Sequence, residues 1–221
     1  TRFYTDFGLL TCNDEITADV NEVFKQLTGL GQAGELRHLW QAPFTLHDNM
    51  IAAVRAETAA AKAGRKGQII AKMNSLLEPE IIEALYEASQ AGVDVGLIVR
   101  GVCALRPGVK GLSENIRVRS VIGRFLEHHR IFYFHADGEE KIYLGSADWM
   151  ERNFFRRIEV VFPVLDPKLK RRVIKEGLRI FLNDNCQAWE MEGDGTFHIS
   201  PSRRVRACAQ QLLLDELAEG D

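Results

Sequence analysis

Two consecutive histidines and an arginine, His128-His129-Arg130, stand at the mouth of an apolar run from Ile131 to Phe134. A second run, Lys141 to Leu144, ends in Gly145-Ser146-Ala147-Asp148. Read as adjacent strands, the two runs gather imidazole, guanidinium, hydroxyl and backbone N–H groups at one sheet edge. A guanidinium grips a phosphoryl group bidentately, and an imidazole nitrogen attacks phosphorus or carries a proton. The combination predicts a site for phosphate chemistry. Side chains alternate along a strand, so at most one of the two histidines faces that site.

Other groups fall where such a site can use them. Arg100 precedes Gly101 just past the apolar run Val93 to Val99, and Asn74 lies just past the run Gln68 to Lys72. Between those runs Pro79 opens a helical pattern that stops at Gly92. This strand-helix-strand order predicts a parallel crossover unit, and such sheets bind ligands beyond the carboxyl ends of their strands. Arg156 and Arg157 precede a further strand, Ile158 to Leu165. Tyr4 and Asp6 share one face of a strand read over residues 2 to 11, and Asp6 offers oxygen to a divalent metal. Trp149 reads as core packing. His47 and His198 read as ordinary structural histidines.

The remaining elements read as follows. A helix capped by Asn13 or Asp14 runs from Glu15 to Gly29, and Gly29, Gly31 and Gly34 mark a domain boundary. A long helix spans Leu46 to Gly64, and a strand spans Ile116 to Val121. Ala136 to Glu139 make a turn, and a helix with a basic first half reaches from Asp166 to Asn183 as a surface element. A short strand near Ala188 and a last helix to Leu217, led in by Ser202 to Arg206, close the chain. The fold class is α/β, a mixed sheet flanked by helices.

Composition narrows the class of function. The chain has 221 residues, 46% of them hydrophobic, enough to bury a core in one large or two small domains. A net charge of -3 argues against a generally basic nucleic-acid binder. Between Arg100 and Arg130, however, seven Lys and Arg face only Glu114 and Glu127, which points to a local anion site. Cys12, Cys103, Cys186 and Cys208 are widely spaced, so free thiols in a reducing cytoplasm are expected and a zinc site is not. No secretory leader or membrane-length apolar run is present. The chain opens on Thr1-Arg2-Phe3-Tyr4 without an initiator Met, as a piece of a longer protein would.

His128-x-Arg130 followed by Gly145-Ser146-x-Asp148 resembles a degenerate phospholipase D superfamily motif, His-x-Lys with a downstream Gly-Ser-x-Asn. Arg130 stands for Lys and Asp148 for Asn, and His135 occupies the place of the usual Asp. More of the chain resembles bacterial polyphosphate kinases. The resemblance runs through Thr1 to Asp6, Leu97 to Cys103, Asn115 to Arg117, Leu126 to Arg130, Ser146 to Met150 and Arg157 to Val160.

This resemblance implies a phospholipase D-like fold, with residues 1–30 ending a first such domain and residues 35–221 forming a second. It implies reversible transfer of the terminal phosphate of ATP to inorganic polyphosphate through a phosphohistidine upstream of this chain, with Mg2+ bridging phosphates. The chain alone would then have no turnover. Tyr4, Arg100 and His128 would contact ATP, His128 would also give acid-base help, and Arg130 and Arg157 would hold phosphate. Where one relative carries an Asp this chain has His129, which would add positive charge at the chain entrance. The family also implies a cytoplasmic homo-oligomer, leaves membrane association open and involves no nucleic acid. Two rivals stand beside this reading: a phospholipase D-type phosphodiesterase with His128 as nucleophile, and a non-catalytic polyphosphate-binding module.

Overall fold

A computed structural model describes residues 3–29, 34–200 and 205–218. In chain order its elements are β1 (Tyr4–Thr5), α1 (Asp14–Leu27), β2 (Trp40–Ala42), α2 (Leu46–Lys62), β3 (Gln68–Met73), α3 (Pro79–Gln90) and β4 (Asp94–Val99). Then come β5 (Ile116–Val121), β6 (Leu126–Glu127), β7 (Arg130–Phe134), β8 (Lys141–Gly145), α4 (Glu151–Phe155) and β9 (Glu159–Pro163). The last elements are α5 (Pro167–Val173), a π-helical stretch (Ile174–Arg179), α6 (Ile180–Leu182), β10 (Ala188–Met191), β11 (Phe197–Ile199) and α7 (Ala209–Ala218).

Nine strands form one mixed sheet in the order β11-β10-β5-β4-β3-β7-β8-β9-β2. The centre, β3-β4-β5, is parallel, as the crossover pattern requires, and β7, β8 and β9 continue it antiparallel. The sheet is covered on both faces. Ile69, Ala71, Phe132 and Phe134 pack with Leu46, Met50, Val54 and Leu85 of α2 and α3. Ile70, Ile131 and Tyr133, the alternate residues of the same strands, pack with Val173, Leu178 and Phe181 of the α5–α6 segment. Two buried faces explain why β3, β4 and β7 read as nearly unbroken apolar runs.

The helices obey local rules. Asn13 caps α1 by accepting from the N–H groups of Glu15 and Ile16, and Asp166 caps α5 through Lys168 and Leu169. Glu78 caps α3 through the N–H of Ile81, with Pro79 at the first helical position. The basic helix ends at Leu182, close to its expected end, and passes through π-helical turns on the way.

The structure differs from the sequence expectation in two places. The strand over residues 2 to 11 shrinks to Tyr4–Thr5, because only those residues find a partner, pairing in parallel with Leu126–Glu127. Leu10 is fully exposed. Two of the four expected free thiols are not free. Cys186 and Cys208 are bonded, with Cα atoms 5.1 Å apart, while Cys12 and Cys103 stay free. Gly31 of the expected boundary, Thr1-Arg2 and Ser202–Arg204 lie outside the described residues.

One glycine fixes how closely the strands that carry the site can meet. A Cβ on Gly145 would lie 2.5 Å from Cγ2 of Val161 and 2.9 Å from the carbonyl oxygen of Val160. Gly145→Ala is therefore expected to destabilise the fold by about 1–3 kcal/mol, lowering Tm by about 2–4 °C per kcal/mol in a chain of this size. An unchanged melting curve would show that β8 and β9 separate without cost.

Candidate functional site

Topology brings five strand termini to one edge of the sheet. β3, β4 and β8 end there, and β7 and β9 begin there. Asn74, Arg100, Ser146 and Asp148 follow the three endings, His128 precedes β7, and Arg157 precedes β9. These side chains line one open cleft of 610 Å³, together with Tyr4, Arg130, Arg152, Asn153 and Glu159. The expected residues Tyr4, Arg100, His128, Arg130 and Arg157 are therefore brought together. Four guanidinium groups face two carboxylates, Asp148 and Glu159, so the cleft favours anions.

Arg130 and Asp148 form its floor. Both are buried, and Arg130 grips Asp148 bidentately, Nε to Oδ1 at 3.2 Å and Nη2 to Oδ2 at 3.1 Å. Asp148 Oδ1 also accepts the backbone N–H of Asn74 at 2.8 Å and of Ser75 at 3.3 Å. Nη1 of Arg130 donates to the carbonyl oxygen of His128. Arg130 thus holds the reactive segment in place, with only part of its donor capacity left for a ligand. The segment after Asp148 is laced to the same loop, since Trp149 accepts from Leu77 N–H at 2.8 Å and donates to Ser75 at 3.1 Å. Trp149 is core, as expected, fully buried and stacked on Phe132.

Arg100 sits at the end of β4, where its Nη2 donates to Oδ1 of Asn74 at 2.5 Å. Gly101 allows this approach, because a Cβ there would come within 2.9 Å of the Asn74 carbonyl oxygen. Arg157 lies 3.6 Å from Glu159, whose Oε1 also accepts from Asn153 at 2.6 Å.

His128 and His129 point to opposite faces, as strand geometry demands. His128 faces the cleft, half exposed, edge-on to the Tyr4 ring at 5.5 Å. Its Nδ1 lies 2.9 Å from Oδ2 of Asp6. An ionised carboxylate only accepts, so Nδ1 carries the proton and Nε2 is left to the cleft. Asp6 does not fit the metal role expected for it. One of its oxygens serves His128 and the other accepts the Phe7 N–H at 2.9 Å. No group of three or more His, Cys, Asp or Glu is placed to hold a metal among the described residues. The described residues thus do not by themselves fit a magnesium ion held by this chain.

His129 lies on the other face, and the expected added positive charge fails. It is buried, stacked on Phe7 at 4.7 Å, with its Nε2 2.6 Å from Lys72 Nζ. Burial, with the Lys72 charge beside it, holds the imidazole well below its usual range, so His129 is neutral. Lys72 is itself buried in β3, over the Phe181 ring and 3.2 Å from Glu127. Burial pushes its amine down to about 7, against the pull of Glu127. Gln210 of α7 closes the network, donating to Glu127 at 2.8 Å and to the Phe125 carbonyl oxygen at 2.9 Å while accepting the Phe125 N–H at 2.9 Å. Sequence reading missed this network. A lysine inside an apolar strand was the one available signal.

The sequence model described as "Polyphosphate kinase C-terminal domain 2" matches residues 39–211. The chain belongs to the polyphosphate kinase family. It is 64% identical over 206 residues to a polyphosphate kinase of Burkholderia multivorans, covering 93% of this chain and 29% of that protein. To one of Paraburkholderia phytofirmans it is 59% identical over 213 residues, covering 96% and 31%. The chain thus spans under a third of the length of these relatives. Its structure matches polyphosphate kinase from Porphyromonas gingivalis with a TM-score of 0.91 and 36% identity, over 95% of this chain and 32% of the other. A phospholipase D family member, Nuc from Salmonella typhimurium, matches with a TM-score of 0.50 at 16% identity, over 70% and 96% of the two chains, which is a likeness of fold. The phospholipase D-like fold expected from the motif is thus the fold observed.

Lys72 yields a pH prediction. Unfolded, its amine keeps a proton up to the ordinary value of 10.5, whereas the folded group sheds it above about 7. The unfolded state therefore binds more protons between those values, and stability rises with pH across that window. Denaturant unfolding of wild type beside Lys72→Met from pH 7 to 10 should show the wild type gaining relative stability. Parallel pH dependence in the two proteins would contradict a depressed Lys72.

Proposed function

We propose that this cleft is the second-domain half of the active site of a polyphosphate kinase, which moves the terminal phosphate of ATP to inorganic polyphosphate and back. The observation that carries the reading is the junction of an Asp6-oriented His128 with four guanidinium groups at one sheet edge, in a chain of this family. The phosphohistidine that carries the phosphate lies, in this reading, upstream of residue 1. Residues 1–30 end a first phospholipase D-like domain and residues 35–221 form the second.

Phosphoryl transfer concentrates negative charge on the oxygens around phosphorus, so the protein acts by positioning and cationic stabilisation. Arg100 and Arg157 hold phosphate oxygens from opposite ends of the cleft, and Tyr4 borders the nucleotide. Arg130 contributes field and position more than direct contact, because Asp148 takes most of its donors. His128, with its Nδ1–H held by Asp6, acts as the imidazolium: it gives the Nε2 proton to the leaving oxygen, keeping the Nδ1 proton, and takes the Nε2 proton back in the reverse direction. Magnesium is a companion of the nucleotide phosphates rather than a resident of this chain.

The diesterase alternative is weaker for a structural reason. The residue at the motif's lysine position, Arg130, is committed to a buried carboxylate. We place the enzyme in the cytoplasm, where ATP is available, as a homo-oligomer. No helix among the described residues is long and apolar enough to cross a membrane.

In the full-length polypeptide that carries this chain, His128→Ala is expected to lower turnover by about 10²–10⁴-fold. Asp6→Asn should cost less, because the imidazole remains and only its orientation loosens. Steady-state ATP formation from ADP and polyphosphate reads both. Wild-type turnover in His128→Ala would remove the proton role.

A further inference from the structure

α7 holds the segment before His128 through one side chain. Gln210 donates to Glu127 at 2.8 Å and to the Phe125 carbonyl oxygen at 2.9 Å, and accepts the Phe125 N–H at 2.9 Å. The fit is close, since a Cβ on Gly123 would collide with Gln210 Oε1. Leu126 and Glu127 in turn pair with Tyr4 and Thr5, and the His128 N–H donates to the Thr5 carbonyl oxygen at 2.9 Å. Moving α7 therefore moves the backbone that carries the cleft histidine.

The helix itself is thinly docked. Of its ten residues, Ala209 and Gln210 are buried, whereas Leu212, Leu214 and Leu217 are exposed. Leu213 packs partly against the core, and Lys175 pairs with Glu216 at 2.8 Å in an exposed bridge that adds little. A helix of this length is marginal by itself in water. Its start is held by Asp184, which accepts the Ala209 N–H at 2.7 Å, and by Asn185, which accepts the Ala207 N–H at 2.8 Å. The covalent hold is Cys208, the residue directly before α7, bonded to Cys186 with Cα atoms 5.1 Å apart, an ordinary disulfide separation.

Both cysteines are half-buried, so small thiols and disulfides reach them. The kinase reading above puts the chain in the cytoplasm, where glutathione keeps ordinary thiols reduced and a disulfide is a transient, redox-responsive bond. One thiolate of the pair attacks a small-molecule disulfide such as glutathione disulfide, releasing one glutathione and leaving a mixed disulfide. The second thiolate displaces the other glutathione and closes the Cys186–Cys208 bond. Two electrons pass to the glutathione disulfide, and the protons of the two protein thiols end on the two glutathione thiols. Reduced glutathione reverses both steps.

We propose that Cys186 and Cys208 form a reversible redox latch: oxidised, the pair locks α7 and through Gln210 the His128 segment; reduced, it releases both and slows turnover. The effect on turnover rests on the kinase reading of the cleft. The test uses the full-length polypeptide that carries this chain, equilibrated with glutathione disulfide or with reduced glutathione, beside a Cys186→Ser/Cys208→Ser variant. Thiol labelling read by mass should find both cysteines blocked in the oxidised wild type and open in the reduced one. Reduction should lower kcat for ATP formation about tenfold, short of the roughly 10²-fold cost of misplacing a catalytic group by about 1 Å. KM for polyphosphate should not move, and the double-serine variant should match the reduced wild type in both buffers. Amide exchange in α7 and from Phe125 to His128 should quicken on reduction, by up to about 10²-fold for a loop closed across 22 residues. Thiols that stay open in glutathione disulfide, equal turnover in the two states, or the same redox response in the double-serine variant would each overturn the latch. If the wild type moves no phosphate between ATP and polyphosphate in either state, the kinase reading fails instead. Amide exchange then decides the latch separately, with equal protection from Phe125 to His128 in both states counting against it.

Discussion

The cleft depends on the buried pair between Arg130 and Asp148. Asp148 takes two guanidinium hydrogen bonds and two backbone N–H groups, and Arg130 adds a bond to the carbonyl of His128. The start of β7, the segment after β8 and the loop after β3 are thereby fixed to one carboxylate. Burying two charges is costly, and such a pair is often no more stable than apolar residues of the same size. What the geometry supplies here is register. Losing either partner strands the other charge in the interior, and the reactive segment loses its anchor with it.

A second set of contacts fixes the other side of His128. Leu126 and Glu127 pair with Tyr4 and Thr5, and Gln210 of α7 holds Phe125 and Glu127. Glu127, Lys72 and His129 then form a buried polar cluster on the face of the sheet opposite the cleft. His128 is therefore set by the first strand, the central strand β3 and the last helix together. This is why Tyr4 and Asp6, more than a hundred residues away in sequence, can share its site.

Much of this was legible in the sequence. Apolar runs located β3, β4, β7 and β8, and cap and stop residues located α2 and α3 within a few positions. The alternation rule separated His128 from His129 correctly. Short elements escaped because three residues of β2 or β11 and one turn of α4 are too brief to show a period. The strand read over residues 2 to 11 had a strand's composition but too few partners, and pairing is a tertiary property. The commitment of Arg130 to Asp148, of Asp6 to His128 and of Cys186 to Cys208 are likewise contacts between distant positions, which spacing alone does not reveal.

The central claim is that this sheet edge binds a phosphate polymer through charge. Its most direct test is equilibrium binding of inorganic polyphosphate to the 221-residue chain at low and high salt, wild type beside Arg100→Ala. The account predicts binding that weakens steeply with salt and is weakened further by Arg100→Ala. A folded chain that binds no polyphosphate, or binds it equally well with and without Arg100, would contradict it.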